Sequence, residues 1–332
     1  MNVFDAHSDI FTDVTIRRLR GETDVFHNRH AARLKKGGVE GAIFVIWVDP
    51  PHDADYAKRT HEIMDAARAE IAETKDFRVV HNMAEIAQAK KDGMFYALIG
   101  VEGMAYVGSD IDRVDEYYNF GARHGILTWN EANSLTAGAN SDSDCGLTDM
   151  GKKVVARMQE LGMVVDVSHL NAAGFWDIVD ITRKPFIASH SDCSALCGVP
   201  RNLTDDQLRA IRDVNGVVGI NSFNIHTDAD PRRQTVERLA QHAAHMIDIM
   251  GIDHVACGFD FFEFVESEDT MNTMVSAGSE SAAFETPAVR GMKDASEVPA
   301  LFRYFEKMGM SEAEMEKIAF RNIHRVFRET IG

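Results

Sequence analysis

Short apolar runs alternate with longer amphipathic stretches along most of the chain. Eight runs, at Asn2–Ala6, Ala42–Trp47, Met94–Val101, Ile126–Trp129, Met163–Val167, Pro185–Ser189, Val217–Asn221 and His254–Gly258, are rich in Val, Ile and Phe and often bounded by Gly. Their hydrophobicity is continuous rather than alternating, as a strand buried on both faces of a parallel sheet requires. The intervening stretches carry helix signals. Thr204-Asp205-Asp206-Gln207 is a capping box ahead of an amphipathic run that stops near Gly216. Asp149–Leu161 has helical periodicity and stops at Gly162, Thr235–Met250 stops at Gly251, and Ser311-Glu312-Ala313-Glu314 opens a last helix ending near Thr330. Eight strands separated by helices predict an α/β protein built as one (β/α)8 barrel of the TIM type over residues 1–332. An open doubly wound sheet is the competing arrangement, but the chain has no G-x-G-x-x-G loop to mark a nucleotide crevice there.

Two stretches interrupt the alternation. Ser134–Cys145 is rich in Ser, Asn, Gly and Asp and reads as a loop. Residues 262–297 follow the eighth run without a clear period and are expected to form a lid over the barrel mouth or a homodimer arm. With 45% hydrophobic and 26% charged residues, the chain has enough of both for a large core and a hydrated surface. Its 52 acidic residues against 35 basic ones leave a net charge of −17, which repels phosphate and excludes nucleic acid and anionic membrane surfaces as expected partners. No apolar run is long enough to span a bilayer, and the first residues read as a buried strand rather than a signal peptide. Cys145, Cys193, Cys197 and Cys257 form neither a C-x-x-C pair nor a zinc-finger spacing. They read as reduced thiols, and the cytoplasm is the expected location.

Polar residues fall at the ends of the predicted strands. His7 and Asp9 follow the first run, two apart, so their side chains return to one face of an extended chain. Glu102 ends the third, His169 follows the fifth, His190 the sixth and Asp260 the eighth. In a barrel these strand ends meet at one rim, and the six residues converge on one pocket. Three histidines and three carboxylates suit zinc or another borderline divalent ion. A single ion does not need all six, whereas two ions about 3.5 Å apart, sharing one carboxylate and a water, use them all. A lone histidine near a strand end is more often a hydrogen-bonded structural residue, so the weight rests on the joint pattern. His242 and His245 lie on a predicted helix away from the rim and read as packing or surface residues. Cys193 and Cys197 read as packing too, and the other histidines, His124 and His226 among them, have no partner pattern.

Further motifs run in order from the first strand to the last helix. They are Asp5-Ala6-His7-Ser8-Asp9, Gly100-Val101-Glu102-Gly103, Gly146-Leu147-Thr148-Asp149, Val165-Asp166-Val167-Ser168-His169, Ser189-His190-Ser191, Arg201-Asn202, Gly258-Phe259-Asp260-Phe261 and Arg321-Asn322-Ile323-His324-Arg325-Val326-Phe327. The ordered set resembles the membrane (renal) dipeptidase family of the amidohydrolase superfamily. The resemblance implies a distorted barrel with two zinc ions, one held by His7, Asp9 and Glu102. Glu102 bridges to a second, held also by His169 and His190, and Asp260 shuttles the proton beside them. Arg201 is similar in position to the family arginine that meets the substrate's terminal carboxylate. Two positions depart from the family. Where its best-known members carry a histidine after the fourth strand, this chain has Leu127-Thr128-Trp129-Asn130, which makes Trp129 and Asn130 expected substrate contacts. The usual D-F-D-G reads Asp260-Phe261-Phe262-Glu263.

The resulting expectation is a zinc-dependent dipeptidase that accepts dipeptides including L-Xaa-D-Xaa. A hydroxide shared by the two ions attacks the peptide carbonyl, and Asp260 takes and returns the proton. N-acyl amino acids, lactones or cyclic amides are the alternative substrates for the same site. Metal binding without catalysis is a third reading, which Trp129 keeps open.

Overall fold

The structure, a computed structural model, describes residues 1–263 and 287–332. Within the expected lid or dimer segment at 262–297, residues 264–286 therefore lie outside the described residues. Strands β1 (Val3–Ser8), β2 (Val39–Trp47), β3 (Phe77–Val79), β4 (Phe95–Glu102), β5 (Ala122–Ile126), β6 (Val164–Asp166), β7 (Ile187–Ala188), β8 (Val217–Ile220) and β9 (Val255–Cys257) form one sheet. All its pairings are parallel, in the order β1-β2-β4-β5-β6-β7-β8-β9. These eight strands make a nearly closed barrel surrounded by helices. Burial on both faces explains their composition: every residue of β1 is buried, and every residue of β2 except Glu40.

β3 is the addition to the expected eight. It pairs with Phe95, Tyr96 and Ala97 of β4, while β5 pairs with Ile99 to Glu102 on the same strand. Three residues are too few for hydrophobic periodicity to reveal. The strand expected at Ile126–Trp129 lies earlier, at Ala122–Ile126, because Arg123 and His124 interrupt the apolar run that pattern reading relies on. The run at Pro185–Ser189 contracts to Ile187–Ala188; Pro185 has no N–H to give to a ladder.

The helices follow their caps. Thr148 accepts from Gly151 N ahead of Asp149–Leu161, which ends on Gly162 at φ 76. Thr204 and Ser311 both complete capping boxes, and Thr235 caps Val236–Met250. The last helical run contains a π-helical turn, Lys317–Arg321, before Asn322–Thr330. At its end Asn322 Nδ2 donates to Ile252 O and Val255 O at 2.7 and 2.8 Å, which fastens the C-terminal helix to β9. Among the described residues, no helix is long and apolar enough to cross a membrane.

Side chains close the seam between β1 and β9. Asp5 Oδ1 accepts from Phe259 N at 2.8 Å and from His7 N at 3.3 Å, so one carboxylate links the strand that carries His7 to the loop that carries Asp260. Burial pushes the Asp5 carboxyl up to about 7, against the pull of these two N–H groups. On the other side of β9, Gly219 and Gly258 both lie against the Ser189 carbonyl, where a Cβ at either position would collide with it. Gly219→Ala is expected to destabilise the fold by about 1–3 kcal/mol through overpacking, measured as a lowered Tm relative to wild type.

Candidate metal centre

The barrel brings all six predicted ligands to the C-terminal ends of its strands. His7 is inside β1, with Asp9 just beyond it; Glu102 is the last residue of β4. His169, His190 and Asp260 follow β6, β7 and β9 within three residues. His169 (φ 68) and Asp260 (φ 57) both hold the left-handed backbone conformation, uncommon for residues other than glycine and concentrated at functional sites.

The two carboxylate oxygens of Glu102 face different partners. Oε2 lies 3.3 Å from His7 Nε2, which is itself 3.5 Å from Asp9 Oδ2 and 3.9 Å from Asp260 Oδ1. Oε1 lies 2.8 Å from His169 Nε2 and 3.4 Å from His190 Nε2, and those two nitrogens are 2.9 Å apart. Ligand atoms of His7, Glu102 and His190 fall within 4.8 Å of one another, as do those of His7, Asp9 and Asp260.

Electrostatics favours a cation here. Asp9, Glu102 and Asp260 are three carboxylates in one largely buried cluster. Burial opposes ionisation of Glu102, but His7, then His169 and His190, outweigh it and hold its carboxyl well below the usual range. Burial likewise opposes protonation of His7, yet Glu102 and Asp9 raise its pKa well above the ordinary value. The acids thus demand positive charge beside His7, and a divalent ion would supply it. His169 is pushed down to about 4 and His190 well below the usual value, mainly by burial, so both imidazoles are neutral and able to ligate. Both ring nitrogens of His7 and Asp9 Oδ1 are buried without a hydrogen-bond partner among the described residues. Buried polar atoms normally have one, and the donor set fits a divalent metal.

Supporting contacts fix the two histidines. His169 Nδ1 lies 3.1 Å from Asn130 Oδ1, and His190 Nδ1 lies 2.8 Å from Ser189 Oγ. Such partners orient a metal-binding imidazole and select its tautomer. Asn130, an expected substrate contact, thus lines the cleft with its oxygen engaged by His169 and by Asn140 Nδ2 at 3.2 Å. Beneath them is a pair that the motifs do not reveal. His124 Nε2 and Asp166 Oδ2 are 2.6 Å apart and fully buried, and Asp166 Oδ1 accepts from Ser168 N and Ser189 N. Burial works against the Asp166 charge, but the His124 contact prevails and keeps the carboxyl below its usual range. One signal was available: a carboxylate between the valines of Val165-Asp166-Val167 must find a partner inside a buried strand.

The centre opens into a cleft with Trp47, Trp129, Phe262 and Arg201 among its lining. Trp129 stands where the family histidine was expected; its ring is 5.2 Å from that of Trp47 and 6.3 Å from that of His169. Arg201 is buried and donates through Nη2 to His190 O at 3.2 Å. Glu263 turns away to Arg33, 3.2 Å distant. His242 and Cys193 pack as expected: Cys193 N donates to His242 Nδ1 at 3.0 Å, and His242 Nε2 meets Thr227 O at 2.7 Å.

Comparisons with known proteins agree with this geometry. The family model for membrane dipeptidase, peptidase family M19, matches residues 1–331. The solved structure of the dipeptidase AC, a metallopeptidase of family M19, is 25% identical with a TM-score of 0.84, over 100% of this chain and 99% of that one. A Rhodobacter sphaeroides metallopeptidase, liganded with a phosphinate mimic of the dipeptide L-Ala-D-Ala, is 25% identical with a TM-score of 0.82, over 99% of each chain. A Klebsiella pneumoniae protein, described as an uncharacterized protein in the pqqA 5′ region, is 31% identical over 260 residues, 76% of this chain and 88% of that protein. The chain belongs to the membrane dipeptidase family, peptidase family M19, and is a hydrolytic metalloenzyme.

Proposed function

We propose that the chain is a dipeptidase working at a centre of two zinc ions, with His7, Asp9 and Glu102 holding one and Glu102, His169 and His190 the other. Asp260, adjoining the first group, adds a metal contact and moves the proton. The observation that carries this reading is the division of Glu102, whose Oε2 faces His7 while Oε1 faces His169 and His190. Bound divalent ions supply Lewis acidity, which brings water towards a neutral pKa and polarises a carbonyl. The rest falls to the chain's own residues. Asp260, held by Asn221 Nδ2 at 3.2 Å, takes a proton at its carboxylate and returns it to the leaving amine. Trp47, Trp129 and Phe262 form an apolar wall that keeps bulk water from the reacting bond. Trp129 and Asn130 are proposed to touch the substrate. The four cysteines are free, which fits the reducing cytoplasm proposed as the location.

Arg201 is proposed to grip the substrate's terminal carboxylate with two parallel hydrogen bonds, fixing direction as well as charge. Only one residue then fits between carboxylate and metals. Dipeptides should be cleaved, tripeptides and amidated dipeptides scarcely. L-Xaa-D-Xaa substrates are included because the Rhodobacter sphaeroides relative is liganded with a mimic of L-Ala-D-Ala. The test is a panel of dipeptides, their amides, tripeptides and N-acyl amino acids, run with metal analysis of the purified protein. Arg201→Lys should raise KM more than it lowers kcat, since charge survives and paired geometry does not. Equal rates on a dipeptide and its amide would defeat the carboxylate grip. Trp129 at the family histidine position favours the second reading, hydrolysis of N-acyl amino acids, lactones or cyclic amides, and faster turnover of that arm would select it.

A further inference from the structure

Part of the cleft wall comes from two segments distant in sequence. One is the loop after β7, which carries Arg201; the other is the short turn Asn224–Thr227 after β8, which carries His226. They are tied together. Asn202 Nδ2 donates to His226 O at 2.7 Å and to Cys197 O at 2.8 Å, and Cys197 Sγ donates to Ile225 O at 3.5 Å. The residue next to Arg201 therefore fixes the backbone of His226, and the two side chains are presented to the cleft as a unit.

Each has donor capacity to spare. Arg201 uses Nη2 on His190 O, but its Nε is buried without a partner. The ring nitrogens of His226 make no hydrogen bond among the described residues, and the ring rests 5.3 Å from that of Phe223. Burial, then the Arg201 charge, holds the His226 pKa well below the usual histidine value, so the neutral ring keeps one N–H to donate. Arg201 Nε is thus a buried donor left unmet, which is costly, and the half-buried His226 ring beside it has a donor open to the cleft. An acceptor with two oxygens and a negative charge satisfies both without adding a proton to the ring.

We propose that His226 donates a hydrogen bond to the substrate's C-terminal carboxylate and completes, with Arg201, a two-residue anion subsite. This rests on the dipeptidase reading above. The subsite gives His226 a role in specificity that no family motif in the chain marks.

The test compares an acid with its amide on the metal-loaded protein. Calorimetric titration with N-acetyl-D-alanine and with N-acetyl-D-alaninamide should show the wild type preferring the acid. His226→Ala should lose about tenfold or more of that preference, the scale of a hydrogen bond to a charged group, with Tm and metal content unchanged. His226→Gln, which keeps a donor, should recover most of it. With a dipeptide, His226→Ala should raise KM by a similar factor and leave kcat within about threefold. An acid preference that survives His226→Ala intact overturns the proposal. So does a fall in kcat at constant KM, the signature of a ring that polarises the scissile carbonyl instead. Should His226→Ala fail to fold, 15N-histidine labelling of the wild type decides: the His226 ring resonance shifts with the acid and not the amide, and equal response overturns the subsite. A wild type inactive on every dipeptide defeats the dipeptidase reading, while the acid–amide comparison still decides the subsite.

Discussion

Glu102→Gln is expected to strip both metal positions at once. The substitution keeps the shape of the side chain and removes the charge. Glu102 reaches His7 with one oxygen and the His169–His190 pair with the other. An amide offers one acceptor and turns an NH2 towards the other group, where it repels a cation. Both halves should therefore weaken together, by roughly a hundredfold or more, above the range for losing a mere outer-shell partner. Asp9→Asn is the contrasting case. Asp9 lies 3.5 Å from His7 Nε2 and belongs with the first group alone. After dialysis, Glu102→Gln should retain well under one ion per chain and Asp9→Asn about one, where the wild type keeps about two. Turnover should disappear with the ions, and Tm should lose the increment that bound metal confers. Two ions retained by Glu102→Gln would overturn the bridging assignment.

Much of this arrangement can be read from the chain before folding, for a reason specific to barrels. Parallel strands covered on both faces are continuous apolar runs, so the first polar metal-capable residue after each run marks the rim. His7, Glu102, His190 and Asp260 are legible that way. The fourth run is not, because the true strand Ala122–Ile126 contains Arg123 and His124. His124 is tolerated only because Asp166, 42 positions later, meets it at 2.6 Å. Pattern along one strand cannot report a partner on the next, and β5 and β6 are neighbours only in the folded sheet. His226 is hidden for a similar reason. Its place on the cleft wall depends on a hydrogen bond from Asn202, 24 positions away. Local signals, by contrast, transfer directly: the capping boxes at Thr204 and Ser311 need only residues three apart, and both form.

Asp260→Asn should lower kcat by roughly a hundredfold or more, the usual scale for losing a general acid–base group, while KM changes little. The backbone gives this variant a clear interpretation. Asp260 sits at φ 57, a conformation that asparagine adopts as readily as aspartate. The amide oxygen can still accept from Asn221 Nδ2, which now lies 3.2 Å from Oδ2. What is lost is the ability to take a proton. Burial, with Asp9 and Glu102 adding to it and His7 and Arg201 opposing, pushes the Asp260 carboxyl up to about 8 on the protein's own charges. Nearby cations stabilise the carboxylate and pull that value down. The wild-type kcat should therefore rise with pH along a limb whose midpoint lies below 8, because the active form is deprotonated. In Asp260→Asn the limb should vanish together with the turnover. If the variant instead loses metal while its remaining loaded fraction turns over at the wild-type rate, Asp260 serves as a ligand alone and the proton is carried elsewhere.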